Sequence, residues 1–121
     1  MSDATASIFG YHAHVYFDAQ TVEQARRLCE RAAVRFAVKM GRVHERPVGP
    51  HPDWSCQLAF RPDVFAELIP WLMTNRNGLT VLVHPLTGND LRDHRDYPMW
   101  MGDSRPLDLS TLSDQPREYT F

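Results

Sequence analysis

The sequence predicts an α+β domain of ferredoxin-like plan, βαββαβ in order, with a four-stranded antiparallel sheet carrying two helices on one face. Two observations point there. Short stretches of alternating or β-rich character and longer stretches of helical spacing follow one another in that order. The plan then implies a strand order of 4-1-3-2, with the fourth strand antiparallel beside the first.

The first strand is Tyr11-His12-Ala13-His14-Val15-Tyr16-Phe17, which is rich in β-branched and aromatic residues and has no Gly or Pro after Gly10. Alternation sends Ala13, Val15 and Phe17 to one face, fit to pack under helices, and His12, His14 and Tyr16 to the other. Asp18 to Gln20 turns the chain, and Thr21 with Gln24 reads as a capping box. A helix over Val22 to Val38 follows. Val22, Ala25, Leu28, Cys29, Ala32, Ala33 and Phe36 make its buried face, Glu23, Arg26, Arg27, Glu30 and Arg31 its solvated one, and Gly41 closes the unit. The second strand is expected over Arg42 to Val48. The turn formers Gly49-Pro50-His51-Pro52-Asp53 then lead to a third strand, Trp54 to Phe60, with Cys56, Leu58 and Phe60 on one face and Ser55, Gln57 and Ala59 on the other. Pro62 opens a second helix in which Val64, Phe65, Leu68, Ile69, Leu72 and Met73 keep helical spacing. Pro70 predicts a kink or restart, and Asn77-Gly78 a stop. The fourth strand is Leu79 to His84, with Val81 and Val83 facing one way and Thr80, Leu82 and His84 the other.

From Pro85 onward no period is visible. Residues 1–121 are read as a single domain with its core over about 8–84, an irregular functional segment over 85–112 and a loose tail over 113–121. So long an irregular segment in a small domain is functional when it carries side chains such as Tyr97, Met99, Trp100 and Met101, which need something to pack on. Leu107 and Leu109 can extend a short strand.

The 121 residues are 43% hydrophobic, enough for one core. A net charge of −2 with interspersed signs leaves no electrostatic footprint for nucleic acid or an anionic membrane. Met1 to Ser7 lack the basic and apolar regions of a signal peptide, and no apolar run approaches membrane-spanning length. Cys29 and Cys56 are far apart without metal-type spacing, so they read as reduced core thiols in a cytoplasmic protein.

The six histidines are more than a fold of this size requires. His12 and His14 sit one strand repeat apart, about 7 Å at the Cα atoms, so both rings can reach one ion. The strand order brings His84 beside His12 on the same open face, making His12, His14 and His84 a candidate metal site. His94 follows on the segment leaving that end and can fold back as a ligand or an acid/base group. His51 belongs to a hairpin at the other end of the sheet; it curls along the open face, serves a site across a dimer interface, or is structural. His44 and Glu45 read as exposed, and Asp93 as a solvated charge rather than a ligand. With Tyr16, Leu82, Trp100 and Met101, the open face is more apolar than a monomer exposes, which predicts cover by the irregular segment or a homodimer.

The motifs Tyr11-His12-Ala13-His14-Val15-Tyr16-Phe17, Gly49-Pro50-His51-Pro52, Val83-His84-Pro85 with Thr87-Gly88, Asp93-His94 and Trp100-Met101-Gly102 together resemble the fungal-type DOPA 4,5-dioxygenase family, which includes small bacterial proteins described as aromatic ring-cleavage dioxygenases. The resemblance runs from Tyr11 to about Leu109. It implies extradiol cleavage of a catechol such as DOPA with O₂ and non-haem iron(II), zinc being an alternative occupant on isolation. It also raises the odds that His51 is functional. Within that chemistry His12, His14 and His84 are the candidate ligands, and His94 and His51 the candidate acid/base groups. Tyr16 and Trp100 are candidate walls for an aromatic substrate. The competing class is a non-enzymatic ferredoxin-like dimer that uses the same histidines to bind a metal or small ligand; a cofactor-free oxygenase is a third.

Overall fold

Five strands form one antiparallel sheet in the order β2-β3-β1-β4-β5 in the computed structural model, which describes residues 7–118. The elements are β1 (Gly10–Phe17), α1 (Val22–Arg35), β2 (Val38–His44), β3 (Trp54–Phe60), α2 (Phe65–Asn75, entered through a 3-10 turn at Pro62–Val64), β4 (Val81–Leu86), α3 (Asp90–Arg95) and β5 (Met99–Met101), with a last 3-10 turn at Leu109–Thr111. The first four strands keep the expected 4-1-3-2 order. The fifth strand and third helix are additions, so the four-stranded, two-helix plan describes only the first part of the chain.

The core lies between the sheet and helices α1 and α2. Ala13, Val15, Phe17, Cys56, Leu58, Phe60, Val81 and Val83 supply the sheet side, and Ala25, Leu28, Cys29, Ala32, Leu68, Ile69 and Leu72 the helix side. Alternation along each strand therefore leaves His12, His14, Tyr16, Ser55, Gln57, Leu82 and His84 on the opposite face. Cys29 and Cys56 are buried free thiols, as expected.

Several boundaries differ from the sequence reading. Helix α1 stops at Arg35 rather than Val38, because Phe36 is already extended and Val38 pairs with Phe60 in the sheet. Strand β2 thus begins before Arg42 and ends before Val48. Gly41 lies inside it, at a register shift between Met40 and Val43, which is where a strand glycine often marks a bulge. The capping box does not form. Asp18 Oδ1 instead accepts from the backbone N–H groups of Gln20 and Thr21, while Gln24 Nε2 donates to Asn77 O at 2.9 Å. Helix α2 passes Pro70 without a break. Pro70 is exposed, so the Ala66 carbonyl that it cannot bond faces water, and burial of Leu68, Ile69 and Leu72 holds the turn together. Strand β4 continues through Pro85, beyond the Val81–Val83 stretch that β5 pairs with, so the missing N–H breaks no ladder on that side.

The segment 85–112 contains α3, β5 and a 3-10 turn, while 102–108 lie in no helix or strand. Asn89 caps α3 by accepting from Arg92 N–H at 2.9 Å. Pairing of Leu82 with Trp100 puts the indole on the open face, and Met101, opposite Val81, joins the core. Leu107 lies in no strand, and Leu109 starts a 3-10 turn. Residues of the 113–117 stretch bond to the start of α3 and the turn before it. Leu91 N–H donates to Ser113 O, Asn89 Nδ2 to Asp114, and Arg117 N–H to Gly88 O at 2.7 Å; residues 119–121 lie outside the described residues. The chain covers its own open face in this way. Tyr16 is 2% and Leu82 0% exposed, and Trp100 is half-buried, so much of the apolar surface of the open face is covered within the chain itself. Among the described residues no helix is long and apolar enough to cross a membrane.

Candidate metal centre

Strand β1 lies between β3 and β4, and the antiparallel register sets His12 directly opposite His84. Period-two alternation brings His14 to the same face. The ligand atoms of His12, His14 and His84 all lie within 4.8 Å of one another, with His14 and His84 buried and His12 half-buried. His14 Nε2 and His84 Nε2 are 3.1 Å apart. Two imidazoles bound to one ion at about 2.0–2.1 Å and at right to tetrahedral angles place their nitrogens about 2.8–3.4 Å apart. The pair is therefore spaced as two donors to one ion.

The proton inventory supports this fit. His84 Nδ1 lies 3.0 Å from Pro85 O, and a carbonyl only accepts, so Nδ1 carries the proton and Nε2 keeps its lone pair. Such a backbone partner fixes the tautomer of a metal-binding imidazole. Burial, reinforced by the neighbouring histidines, holds His14 and His84 well below the ordinary imidazole range. His12 is lowered to about 4, by burial first and then by His94 and Arg117, with Asp90 opposing. All three are neutral donors at neutral pH. Three imidazoles suit zinc, copper, iron or nickel.

Two further histidines complete a cluster of five. The His51 ring lies 4.0 Å from that of His14, and the His94 ring 4.0 Å from that of His84. Of the three alternatives for His51, the loop curls along the open face: Tyr16 Oη is 2.7 Å from His51 Nδ1. With the Tyr16 O–H donating to Nδ1, the His51 proton sits on Nε2. Burial raises the Tyr16 phenol far above its ordinary range, so it stays a donor, and lowers His51 to about 4. His94 has the reverse arrangement. Its Nδ1 donates to Asp90 O at 2.7 Å, leaving the lone pair on Nε2.

A cavity of about 170 Å³ opens beside the donors, lined by His12, His14, His51, His84 and His94 with Pro50, Gln57, Leu86, Asp90, Leu112 and Arg117. A larger cleft of about 620 Å³ lies at the far end of β1 beside Asp18 and Arg105, but no histidine lines it. The histidine donors converge on the smaller cavity.

Asp93 corrects the sequence reading. It is not solvated but 0% exposed, accepting from Thr87 N–H at 3.0 Å and Thr87 Oγ1 at 2.5 Å, with burial raising its carboxyl. It pins the turn before α3 and so helps position His94. Gln57, opposite His14 in the register, was placed on the correct face without being singled out. Nothing in the sequence pattern marked Asp90, Leu112 or Arg117. Glu45 is exposed, as expected. Tyr16 does not line the smaller cavity, but its hydroxyl touches His51, which does.

The sequence model of the Dopa 4,5-dioxygenase family matches residues 11–111. The chain is 38% identical over 114 residues to an uncharacterized 21.2 kDa protein of Botryotinia fuckeliana, covering 84% of this chain and 62% of that one. It is 36% identical over 111 residues to the DOPA 4,5-dioxygenase of Amanita muscaria, covering 84% of this chain and 49% of that one. It therefore spans about half to three-fifths of the length of these relatives. A crystal structure of a candidate dioxygenase from Nostoc punctiforme superimposes with a TM-score of 0.84 at 46% identity, covering 86% of this chain and 90% of that one.

Proposed function

Because the chain belongs to the Dopa 4,5-dioxygenase family, we propose that it is an extradiol ring-cleavage dioxygenase. It acts on a catechol such as DOPA, with a non-haem iron held by His12, His14 and His84. The observation that carries this reading is the convergence of those three neutral donors, within 4.8 Å of one another, on a cavity that also holds two non-ligating histidines. Iron bound there supplies oxygen activation and an anchor for the two catechol oxygens.

The residues of the chain divide the remaining work by tautomer. His94, with its lone pair on Nε2, is the group suited to take the second catechol proton. His51, with its proton on Nε2, is the group suited to hydrogen-bond a substrate oxygen, and Tyr16 keeps it in that form. Pro50, Leu86 and Leu112 give the cavity apolar wall for one aromatic ring, and about 170 Å³ suits a ligand below drug size.

The test is metal analysis of protein purified without an affinity tag, followed by anaerobic iron loading and addition of a catechol and oxygen. Oxygen uptake with a yellow ring-opened product is the expected result. Iron-loaded protein that turns over no catechol, DOPA and protocatechuate included, overturns the reading; stable zinc without turnover favours a metal-binding module.

A further inference from the structure

A second cavity adjoins the histidine cavity and plays no part in the chemistry above. It has a volume of about 180 Å³ and shares His14, Pro50, His51 and Gln57 with the first. The rest of its wall is His44 and Ser55 from the sheet and Val48 and Gly49 from the loop before β3.

Register builds this space. Tyr16 on β1, Ser55 on β3 and His44 on β2 lie opposite one another in one row, and His14 lies opposite Gln57 in the next. Alternation turns these side chains to the open face. The first cavity lies over β1 and β4 and the second over β3 and β2, one to two strand spacings away, or about 5–10 Å. The turn at Pro50 and His51 borders both, held by Asp108 N–H donating to Pro50 O at 2.9 Å.

The polar groups of the second cavity do not satisfy one another. Ser55 is 2% exposed, yet among the described residues its hydroxyl makes no hydrogen bond, and neither do the Gln57 amide and the His44 ring. No side-chain oxygen or nitrogen fully sealed from solvent lacks a partner among the described residues, so Ser55 Oγ is not sealed; it opens on the cavity it lines. A hydroxyl, an amide and an imidazole around one space can both donate to and accept from a bound group. The lining carries no Asp, Glu, Lys or Arg, so an ionic group entering there meets a desolvation cost without a countercharge.

We infer that the second cavity is a substituent subsite, in which Ser55 and Gln57 bind an uncharged hydrogen-bonding group carried on a short side arm of the ring in the first cavity. The inference rests on the catechol reading of the proposed function and narrows its substrate class to catechols with such an arm.

The experiment uses the full chain loaded with zinc in anoxic buffer, so that ligands bind without turnover. Affinities of 2-(3,4-dihydroxyphenyl)ethanol, 4-propylcatechol and 2-(3,4-dihydroxyphenyl)ethylamine, which differ only in an end group of similar size, are measured by calorimetry for wild type, Ser55→Ala and Gln57→Met. Wild type is expected to bind the alcohol more tightly than the amine, and more tightly than the propyl compound by about 2- to 10-fold for each hydrogen bond made. Ser55→Ala, which removes one atom, and Gln57→Met, which keeps the side-chain length, should each shrink the alcohol-to-propyl ratio by about that factor. Equal affinities for alcohol and propyl compound in wild type would leave the second cavity to solvent and overturn the inference. So would an amine bound as tightly as the alcohol, or no binding of any of the three. A ratio unchanged in both variants, or a parallel loss for alcohol and propyl compound, would make Ser55 and Gln57 packing residues only and overturn it too. If iron-loaded protein cleaves no catechol while the ratio still collapses in Ser55→Ala, the dioxygenase reading fails and the subsite stands. If it cleaves catechols and the ratio is unchanged in both variants, the subsite fails and that reading stands.

Discussion

Replacing His14 by Ala removes one of three donors from the proposed centre, and the size of the effect can be worked out. Structural zinc sites with four donors have apparent binding free energies of about 10–16 kcal/mol, or about 2.5–4 kcal/mol per donor. Losing one donor should weaken metal binding by about 10²–10³-fold. With metal at 100 times the wild-type dissociation constant, wild type gains about 2.7 kcal/mol of stability by mass action. A variant binding 100-fold more weakly gains only about 0.4 kcal/mol under the same conditions. For a chain of this size those gains correspond to shifts in Tm of about 8–16 °C and about 1–2 °C. The metal-induced shift, not the absolute Tm, is the quantity to compare. His14 is 4% exposed and bonded to His84, so the substitution also destabilises the metal-free protein. The assay is thermal unfolding with and without zinc, with direct affinity from competition against a chromophoric chelator. His84→Ala should behave like His14→Ala, and His44→Ala, outside the donor set, should keep the full shift. Full wild-type shifts in both His14→Ala and His84→Ala would refute the assignment. Loss of the shift in His94→Ala instead would move the centre to α3.

His94→Ala should retain the metal-induced shift and lower kcat about 10²–10⁴-fold, followed by absorbance of the ring-opened product; unchanged kcat would remove His94 from the proton transfers. Tyr16→Phe strips the donor from His51 Nδ1 in a buried site and should cost about 1–3 kcal/mol in urea unfolding, so an unaltered midpoint would show that the hydroxyl contributes nothing there. Metal-free protein should lose stability on acidification. His12 and His51 have folded values of about 4 against 6.5 unfolded, and His14 and His84 are depressed likewise. Their contribution is complete above pH 6.5 and is lost as pH falls through about 4. Asp93, raised by burial, opposes this, since its protonation favours the fold. With Asp90 and Arg117 beside His12 acting in opposite directions, the four histidines dominate. The slope between these limits should exceed the single-proton value of about 1.4 kcal/mol per pH unit; urea midpoints that stay flat from pH 7 to 5 would contradict it.

The parts of this fold that were legible in the sequence are those with a long period and a buried face. Strand β1, strand β3 and the body of α1 each repeat one pattern over seven or more residues, and the structure keeps their faces. The illegible parts draw their stability from tertiary partners. Val38 and Met40 fit a helix as well as a strand by spacing, and pairing with Phe60 and Leu58 decides between them. Helix α3 has six residues and β5 three, too few for a period to show; Asn89, Leu82 and Val83 hold them in place. Asp93 reads as solvated because nothing local announces its burial. Its partner, Thr87, lies six residues upstream, across a turn.

The candidate site was more legible than the fold around it, for a reason rooted in register. His12, His14 and Tyr16 occupy alternate positions of one central strand, so a single alternation decides the face of all three. His12 reaches His84 on β4, His14 lies opposite Gln57 on β3, and Tyr16 orients His51 from the loop before β3. A slip of one residue would turn all three side chains toward α1 and α2 and bring Ala13, Val15 and Phe17 out of the core. The packing of those three apolar residues, at 0%, 0% and 6% exposure, therefore also fixes where the imidazoles point. What alternation cannot specify is which loop closes over the exposed face. The His51 loop turns back through a hydrogen bond from His51 N–H to Val48 O, and Pro50 O accepts from Asp108 N–H, a residue far along the chain. The proposed donors are thus placed by strand periodicity, His51 by loop closure and His94 by α3. Insertions in 45–53 should accordingly disturb the chemistry before they disturb metal binding.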